Sequence, residues 1–339
     1  MIFFVSGATG GHLYPAIAIA NQLNKPAFFI VSRQHPVEKI LAPYNFDFKV
    51  IKLNIKALIA WPILLGRIGF LIIKKKPKLL ITMGGGICIP CAIIGWAFGI
   101  PIVSFEQNAI PGRATKGTQF FAKKIITAFE SAKKGLLLKS KVRCLGNPIR
   151  LDYPDNDQFP SEWASLKGKT LAIIGGSQGA LKINQFIEKN KKMLLNEGFN
   201  IIHLTGDQYF KGNETSLSES LNGKYYIALR YVINMNAIYE KATVVMCRAG
   251  ATTLAELKYY QIPSILIPYP FAMDNHQEKN AEAFIKENAH SVKINESDLN
   301  LDFILAMLIN HSEDKKQPSK ASENKKLNTI CELIESYLK

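Results

Sequence analysis

The chain has 339 residues, 47% hydrophobic and 20% charged, a composition that excludes a disordered chain and a length that suits two domains of about 150 residues. Its net charge of +15 is one-sided: residues 1–150 hold 21 Lys and Arg against 4 Asp and Glu, a net of +17, whereas the remainder holds 21 against 23. A basic half of this kind attracts nucleic acid, anionic lipid or a phosphorylated substrate, and composition does not choose among them.

In chain order, the first half carries short β-branched or aromatic runs separated by helix-length stretches: IFFVS (2–6), AFFIV (27–31), KLLITM (78–83), IPIVSF (100–105) and KKIITAF (123–129). That alternation predicts a parallel sheet covered by helices. A polar stretch from Asp152 to Lys169, containing Pro154 and Pro160, reads as an interdomain linker. The second half repeats the scheme with TLAIIGG (170–176), NIIHLTG (200–206), ATVVMC (242–247), PSILIP (263–268) and HSVKI (290–294). The expected fold class is therefore α/β, two Rossmann-like domains whose parallel sheets face a cleft, with ligands at the carboxyl ends of the strands.

Within the first half, Ala57–Ile73 (ALIAWPILLGRIGFLII) is followed directly by Lys74, Lys75, Lys76 and Lys78. Pro62, Gly66, Arg67 and Gly69 interrupt it too often for a spanning helix. It reads either as a core helix of the first sheet or as an interfacial element whose lysines engage anionic lipid.

Three glycine-bearing loops each follow a strand and enter a helix. The first is Gly7-Ala8-Thr9-Gly10-Gly11-His12, with a helix predicted from near Pro15. The second is Gly175-Gly176-Ser177-Gln178-Gly179-Ala180 before a helix from Leu181. The third runs from Cys247 to Glu256. Glycine lets backbone approach a ligand closely, and a helix amino terminus offers N–H groups to oxygens, so the set suits a diphosphate. No G-x-G-x-x-G or G-x-x-x-x-G-K-[ST] is present, which disfavours dinucleotide and P-loop chemistry. No D-x-D pair offers itself to a metal–diphosphate, so charge on a departing diphosphate must be met by helix termini, hydroxyls and an arginine. Arg150, closing Gly146-Asn147-Pro148-Ile149-Arg150 at the domain junction, is the candidate.

Five scattered cysteines and no signal-type leader fit a reducing cytoplasm. Cys88 and Cys91 form a C-x-x-C that lacks a second pair at ligand spacing, so neither a metal nor another cofactor is expected. No RNA- or DNA-binding motif accompanies the basic half, which argues against nucleic acid.

Taken together, GATGGHLYPA (7–16), FEQNAIPG (105–112), GNPIR (146–150), GGSQGA (175–180), CRAGATTLAE (247–256) and DNHQEKNA (274–281) resemble the MurG family. These are GT-B-fold UDP-N-acetylglucosamine:undecaprenyl-pyrophosphoryl-MurNAc-pentapeptide N-acetylglucosaminyltransferases, and order and spacing hold from residue 1 to about 310. The resemblance implies metal-free, inverting transfer from UDP-GlcNAc to the C4 hydroxyl of the lipid-linked muramyl sugar, at the cytoplasmic face of the cell membrane. It implies that residues 1–150, completed by a C-terminal helix of about 320–339, face acceptor and membrane, and that 151–319 bind the donor. Carried over by motif, Thr9, Gly10, Gly11 and Asn108 touch the donor from the first domain. Arg150, Ser177 and the Val232 backbone hold the uridine diphosphate. Ala251, Thr252, Thr253, Leu254, Ala255 and Glu256 line the nucleotide pocket, with Glu256 on the ribose, and Gln277 reads sugar hydroxyls.

For general-base work on a hydroxyl, His12 at the end of the first glycine loop and Glu106 after an apolar strand are the candidates. An ion pair with a lysine is the plainer reading of Glu106, and His276 is a neighbour of the donor pocket. Two departures fall on the acceptor side. Gly84-Gly85-Gly86-Ile87-Cys88-Ile89 stands where the family has a glycine pair, Tyr and a Ser-containing turn, and Phe105 stands where it has His. They keep open a relative with another acceptor, or a protein that binds UDP-GlcNAc without turnover.

Overall fold

A computed structural model describes the chain apart from residues 8, 33–36, 53–59, 154–156, 177–178, 208, 211–213, 312–319 and 339. Ser177 and the start of the 57–73 segment thus lie outside the described residues. The chain divides into two compact units, Met1–Arg150 with Lys320–Lys339, and Leu151–Ser319.

The first unit runs β1 (Ile2–Ser6), α1 (Gly10–Leu23), β2 (Ala27–Val31), α2 (Val37–Leu41), β3 (Asp47–Val50), α3 (Ala60–Lys75), β4 (Leu79–Thr82), α4 (Cys88–Ala97), β5 (Ile102–Glu106), α5 (Arg113–Thr118), β6 (Lys124–Thr127) and β7 (Val142–Cys144). The strands form one parallel sheet of order β3-β2-β1-β4-β5-β6-β7. Alternate side chains go to opposite faces. Ile2 and Phe4 of β1, Phe29 and Val31 of β2, and Leu79 and Ile81 of β4 pack with α1. Phe3, Val5, Phe28, Ile30 and Leu80 pack with α3 and α4 on the other side. Both faces are covered, which is why the strands read as continuous apolar runs. Each fully buried Ile or Phe contributes roughly 1.5–3 kcal/mol.

Three features of this unit differ from the sequence expectation. Helix α1 begins at Gly10 and carries Pro15 inside it, because the N–H groups of His12 and Leu13 both reach the Thr9 carbonyl at 3.1 Å and close the first turn five residues early. The loop therefore shrinks to 7–9, and Gly10, Gly11 and His12 belong to the helix. β3 and β7 are short edge strands absent from the apolar pattern, since β3 alternates exposed and half-buried residues and β7 has three residues.

The second unit runs β8 (Thr170–Ile174), α6 (Leu181–Asn196), β9 (Asn200–Leu204), β10 (Ser216–Leu221), β11 (Lys224–Leu229), α7 (Met235–Lys241), β12 (Val244–Cys247), α8 (Ala251–Tyr260), β13 (Ser264–Leu266), α9 (His276–Glu287), β14 (Val292–Lys293) and α10 (Leu301–Asn310). Its sheet has the order β10-β11-β9-β8-β12-β13-β14 and is parallel except for the β10–β11 hairpin. Ile183, Ile187, Leu194 and Leu195 of α6 and Ile304, Met307 and Leu308 of α10 bury against Leu171, Ile173, Ile201, Val244 and Met246. The last helix, α11 (Lys320–Glu335), returns to the first unit and places Leu327, Ile330, Cys331 and Ile334 in the α1 core.

Candidate functional site

In each sheet the strand order reverses beside its first strand, at β1/β4 and at β8/β12. An open α/β sheet leaves a crevice for ligands there, outside the carboxyl ends of the strands. The loops after β1, β4, β8 and β12 are the glycine-bearing ones, so each unit offers its own candidate site.

In the first unit the site centres on His12. Its imidazole lies against two glycine backbones: a Cβ on Gly7 would stand 3.0 Å from Nδ1, and one on Gly84 would stand 2.8 Å from Nε2. The loops after β1 and β4 meet through the Gly7 N–H, which donates to the Gly84 carbonyl at 2.7 Å. The Cys88 thiol donates to the same carbonyl at 3.1 Å. Burial pushes that thiol up to about 12, so Cys88 serves as a donor within the fold. Gly84 holds φ +106 and Gly85 φ +91, a region that favours glycine. The Thr9 hydroxyl lies 3.2 Å from His12 Nδ1; at the N-cap, it orients the ring and makes no side-chain cap. Tyr14 covers Gly10, and the Arg150 guanidinium stacks 3.7 Å above the Tyr14 ring while donating to the Tyr44 hydroxyl at 2.8 Å. Thr9, Gly10, His12 and Arg150 are thus gathered around the amino end of α1.

Glu106 ends β5 and is 3% exposed. One carboxylate oxygen accepts from the Asn108 N–H at 3.0 Å and the Asn108 side-chain amide at 3.1 Å. The other accepts from the Gly112 N–H at 2.8 Å and the Thr115 hydroxyl at 2.5 Å. Four donors on one carboxylate make Glu106 the organiser of the 107–115 loop, and no lysine pairs with it in these contacts. Phe105, beside Glu106 in β5, is buried in the α1-side core.

In the second unit, Gly250 caps α8, so Ala251–Glu256 form its first two turns. Ala251, Thr252, Leu254 and Glu256 are buried, while Thr253 and Ala255 are half-buried. Glu256 accepts from the Tyr239 hydroxyl at 2.7 Å; burial, then this carboxylate, pushes the Tyr239 phenol far above its ordinary range. The loop before α8 is fixed by residues given no role in the sequence reading. Arg248 donates to the Ile267 and Pro268 carbonyls and pairs with Glu296 at 2.6 Å, and the buried Asn280 amide donates to the Ala249 carbonyl at 3.2 Å. The presence of Arg248 and Asn280 inside the CRAGATTLAE and DNHQEKNA motifs was the available signal; Glu296 lies outside both. Gln277, the second residue of α9, accepts from the Tyr269 N–H at 2.9 Å; His276, which opens the helix, donates through Nδ1 to the Met273 carbonyl at 2.6 Å. In the loop after β8, Gly179 holds φ +79 with its Cβ position only 2.3 Å from the Thr205 carbonyl, so no side chain fits. Val232 lies between β11 and α7 and is 5% exposed.

Two parallel-dominated Rossmann-like units completed by a crossing C-terminal helix have the two-domain GT-B architecture found among glycosyltransferases. Residues 2–127 match the glycosyltransferase family 28 N-terminal domain and residues 170–335 its C-terminal domain; the chain belongs to this family. It is 34% identical over 98% of its length to the UDP-N-acetylglucosamine--N-acetylmuramyl-(pentapeptide) pyrophosphoryl-undecaprenol N-acetylglucosamine transferase of Desulforamulus reducens, covering 97% of that protein. The protein of the same description from Nostoc punctiforme is 30% identical, with 95% of this chain and 92% of that one covered. Among solved structures, the MurG of Acinetobacter baumannii superposes with a TM-score of 0.70 at 20% identity, over 99% of both chains. The UDP-GlcNAc 2-epimerase of Methanocaldococcus jannaschii gives 0.65 at 12% identity, again over 99% of both. Those two likenesses carry the fold alone, since one fold hosts more than one chemistry.

Proposed function

We propose that this glycosyltransferase moves N-acetylglucosamine from UDP-GlcNAc to the C4 hydroxyl of undecaprenyl-pyrophosphoryl-MurNAc-pentapeptide, turning lipid I into lipid II for peptidoglycan, on the cytoplasmic face of the cell membrane. The observation that carries this reading is the end-to-end similarity to relatives described by that transfer. In the proposed reaction the C4 hydroxyl loses its proton to His12 as its oxygen attacks the anomeric carbon; the bond to UDP breaks with inversion and the diphosphate takes the electron pair. The glycine backbones around the half-buried His12 ring and the Thr9 hydroxyl support His12 as the base, because they fix the imidazole at the amino end of α1. Glu106 acts by holding Asn108 for the donor sugar.

Residues 151–319 form the donor unit. The loop after β8, with Ser177, and the start of α6 meet the diphosphate, joined by Arg150, which Tyr14 and Tyr44 hold ready. Val232 reads the base through its backbone, Ala251–Glu256 line the nucleotide pocket with Glu256 on the ribose, and Gln277 contacts the sugar. Residues 1–150 face acceptor and membrane. Among the described residues no helix is long and apolar enough to cross a membrane, and the exposed Ile63, Phe70 and Ile73 of α3 beside exposed lysines fit docking on an anionic surface.

The test is transfer of labelled GlcNAc from UDP-GlcNAc to purified lipid I, with lipid II as the expected product and loss of transfer in His12→Gln. A second reading, transfer to a different acceptor, is favoured by the burial of Phe105 and by Gly86 in place of an aromatic side chain. Donor binding with no transfer to lipid I would select it over the first.

A further inference from the structure

Asp157 stands in the polar stretch that opens the second unit, and nothing in its sequence surroundings marks it. Its carboxylate nevertheless reaches across 76 residues to the turn before α7. The Ile233 N–H donates to both oxygens, at 2.9 and 3.0 Å, and the Asn234 N–H donates to one of them at 2.5 Å. Two successive N–H groups are thereby turned toward one carboxylate, which fixes the peptide planes on either side of Ile233. The first turn of α7 that follows is also tied to the start of the unit, by the Asn236 amide donating to the Leu151 carbonyl at 3.0 Å. Tyr260 in turn donates to the Asn236 side-chain oxygen at 2.5 Å.

Val232 immediately precedes these fixed peptides. It belongs to neither β11 nor α7, and neither its N–H nor its carbonyl has a hydrogen-bond partner among the described residues, although the residue is 5% exposed. Buried backbone groups call for a partner, and a neighbouring N–H and carbonyl outside the strand and helix ladders form a donor–acceptor pair that a ligand edge can meet. A neighbouring donor and acceptor complement a ligand edge that carries one acceptor and one donor. The imide edge of uracil sets a donor N–H beside an acceptor carbonyl, whereas cytosine reverses the two, with an acceptor nitrogen beside a donor amine, so a backbone pair held in place tells them apart.

We propose that Asp157 is a positioning residue for base recognition: by anchoring Ile233 and Asn234 it aims the Val232 backbone at the uracil of the donor. This deepens the proposed function and rests on its assignment of Val232 to the base. Without the anchor, rotation of the 232–233 peptide swings the acceptor away from the imide N–H, so affinity and base discrimination fall together while the transfer step, carried out elsewhere, does not change.

The experiment measures UDP and CDP binding to the full chain by calorimetry, and steady-state transfer, for wild type, Asp157→Ala, Asp157→Asn and Asp157→Glu. The expected result is a UDP dissociation constant raised about tenfold in the alanine variant, with a matching rise in KM for the donor. The UDP-over-CDP preference should shrink, kcat at saturating donor should stay within about twofold, and glutamate should restore part of the loss. Should alanine impair folding, the isosteric asparagine variant, which keeps a single acceptor, carries the comparison. UDP affinity and CDP discrimination unchanged in a folded Asp157 variant would overturn the proposal. A wild type that binds UDP and CDP equally would overturn the reading of Val232 beneath it.

Discussion

At the scale of residues, the placement of His12 depends on a side chain that is missing. Gly84 combines φ +106 with a Cβ position 2.8 Å from His12 Nε2, so Gly84→Ala adds backbone strain and pushes the ring off its glycine bed. The expected outcome is a kcat loss approaching that of His12→Ala, about 10²–10⁴-fold for a general base, with UDP affinity near wild type; a Gly84→Ala enzyme of normal kcat would show that the ring position is not critical. In the second unit, Glu256→Ala should weaken UDP-GlcNAc binding by about 1–3 kcal/mol, the range for leaving buried partners unpaired. The same change orphans the Tyr239 hydroxyl, so a Glu256→Ala, Tyr239→Phe double variant should recover stability and not affinity. Unchanged affinity by calorimetry removes Glu256 from the ribose. The glycine loops, His12 and Glu106 were legible because glycine and titratable residues are rare after apolar strands. What Glu106 does was not, since its four donors come from residues two to nine positions downstream and appear only once the loop folds back.

At the scale of elements, buried strands and their loops could be read from the sequence, and edge elements could not. β10 (SLSESL) is a polar edge strand without an apolar signature, yet Asn222-Gly223 between it and β11 is a two-residue hairpin turn with φ of +51 and +71; that dipeptide was the unused signal. Of the two readings of the apolar segment, α3 meets the core one, since Leu64, Ile68 and Ile72 pack on the sheet, and it leaves Ile63, Phe70 and Ile73 facing outward. The register joining α6, β9 and β11 rests on His203, fully buried, whose Nδ1 meets the Tyr226 hydroxyl at 3.0 Å and whose Nε2 meets Asn184 at 2.9 Å. Asn184 in turn donates to the Thr205 carbonyl at 2.9 Å, next to the glycine loop after β8. Burial lowers the His203 pKa to about 3, below its ordinary value of about 6.5. The native imidazole stays neutral while the unfolded one protonates, so stability is intact above about pH 6.5 and falls as pH drops toward 3, by up to about 1.4 kcal/mol per unit. Urea unfolding of wild type and His203→Gln across that window should give a steeper acid loss for wild type, and parallel curves would contradict a neutral buried ring.

At the scale of the whole molecule, α11 makes the two units inseparable in sequence, because the chain enters the second unit at Leu151 and returns to complete the first through Leu327, Ile330, Cys331 and Ile334. Additional ties are the Gln22–Asn328 hydrogen bond and the Lys25–Glu335 ion pair. The net of +17 on residues 1–150 is likewise a property of a surface and of no single site. Part of it borders the outward face of α3, where Lys74, Lys76 and Lys78 are exposed beside Phe70, 67% exposed, and Ile73, 59% exposed. Trp96 and Phe98, at the end of the adjoining α4, are exposed as well. Lys75 is different, for it pairs with Asp47 at 3.9 Å and lies over the Phe28 ring, so it supports the fold more than the surface. An interfacial face predicts two separable contributions. Lys74→Gln, Lys76→Gln and Lys78→Gln together should weaken binding to anionic liposomes by up to about 1 kcal/mol per residue, an effect that disappears as salt shortens the Debye length below about 8–10 Å. Phe70→Ala with Ile73→Ala should weaken binding by an amount that persists at high salt, because apolar insertion is not screened. Both variants should turn over detergent-dispersed acceptor near the wild-type rate. Sedimentation with liposomes across a salt series decides: if neither variant loses binding, the outward face of α3 is an exposed helix side and a different surface brings the enzyme to its lipid substrate.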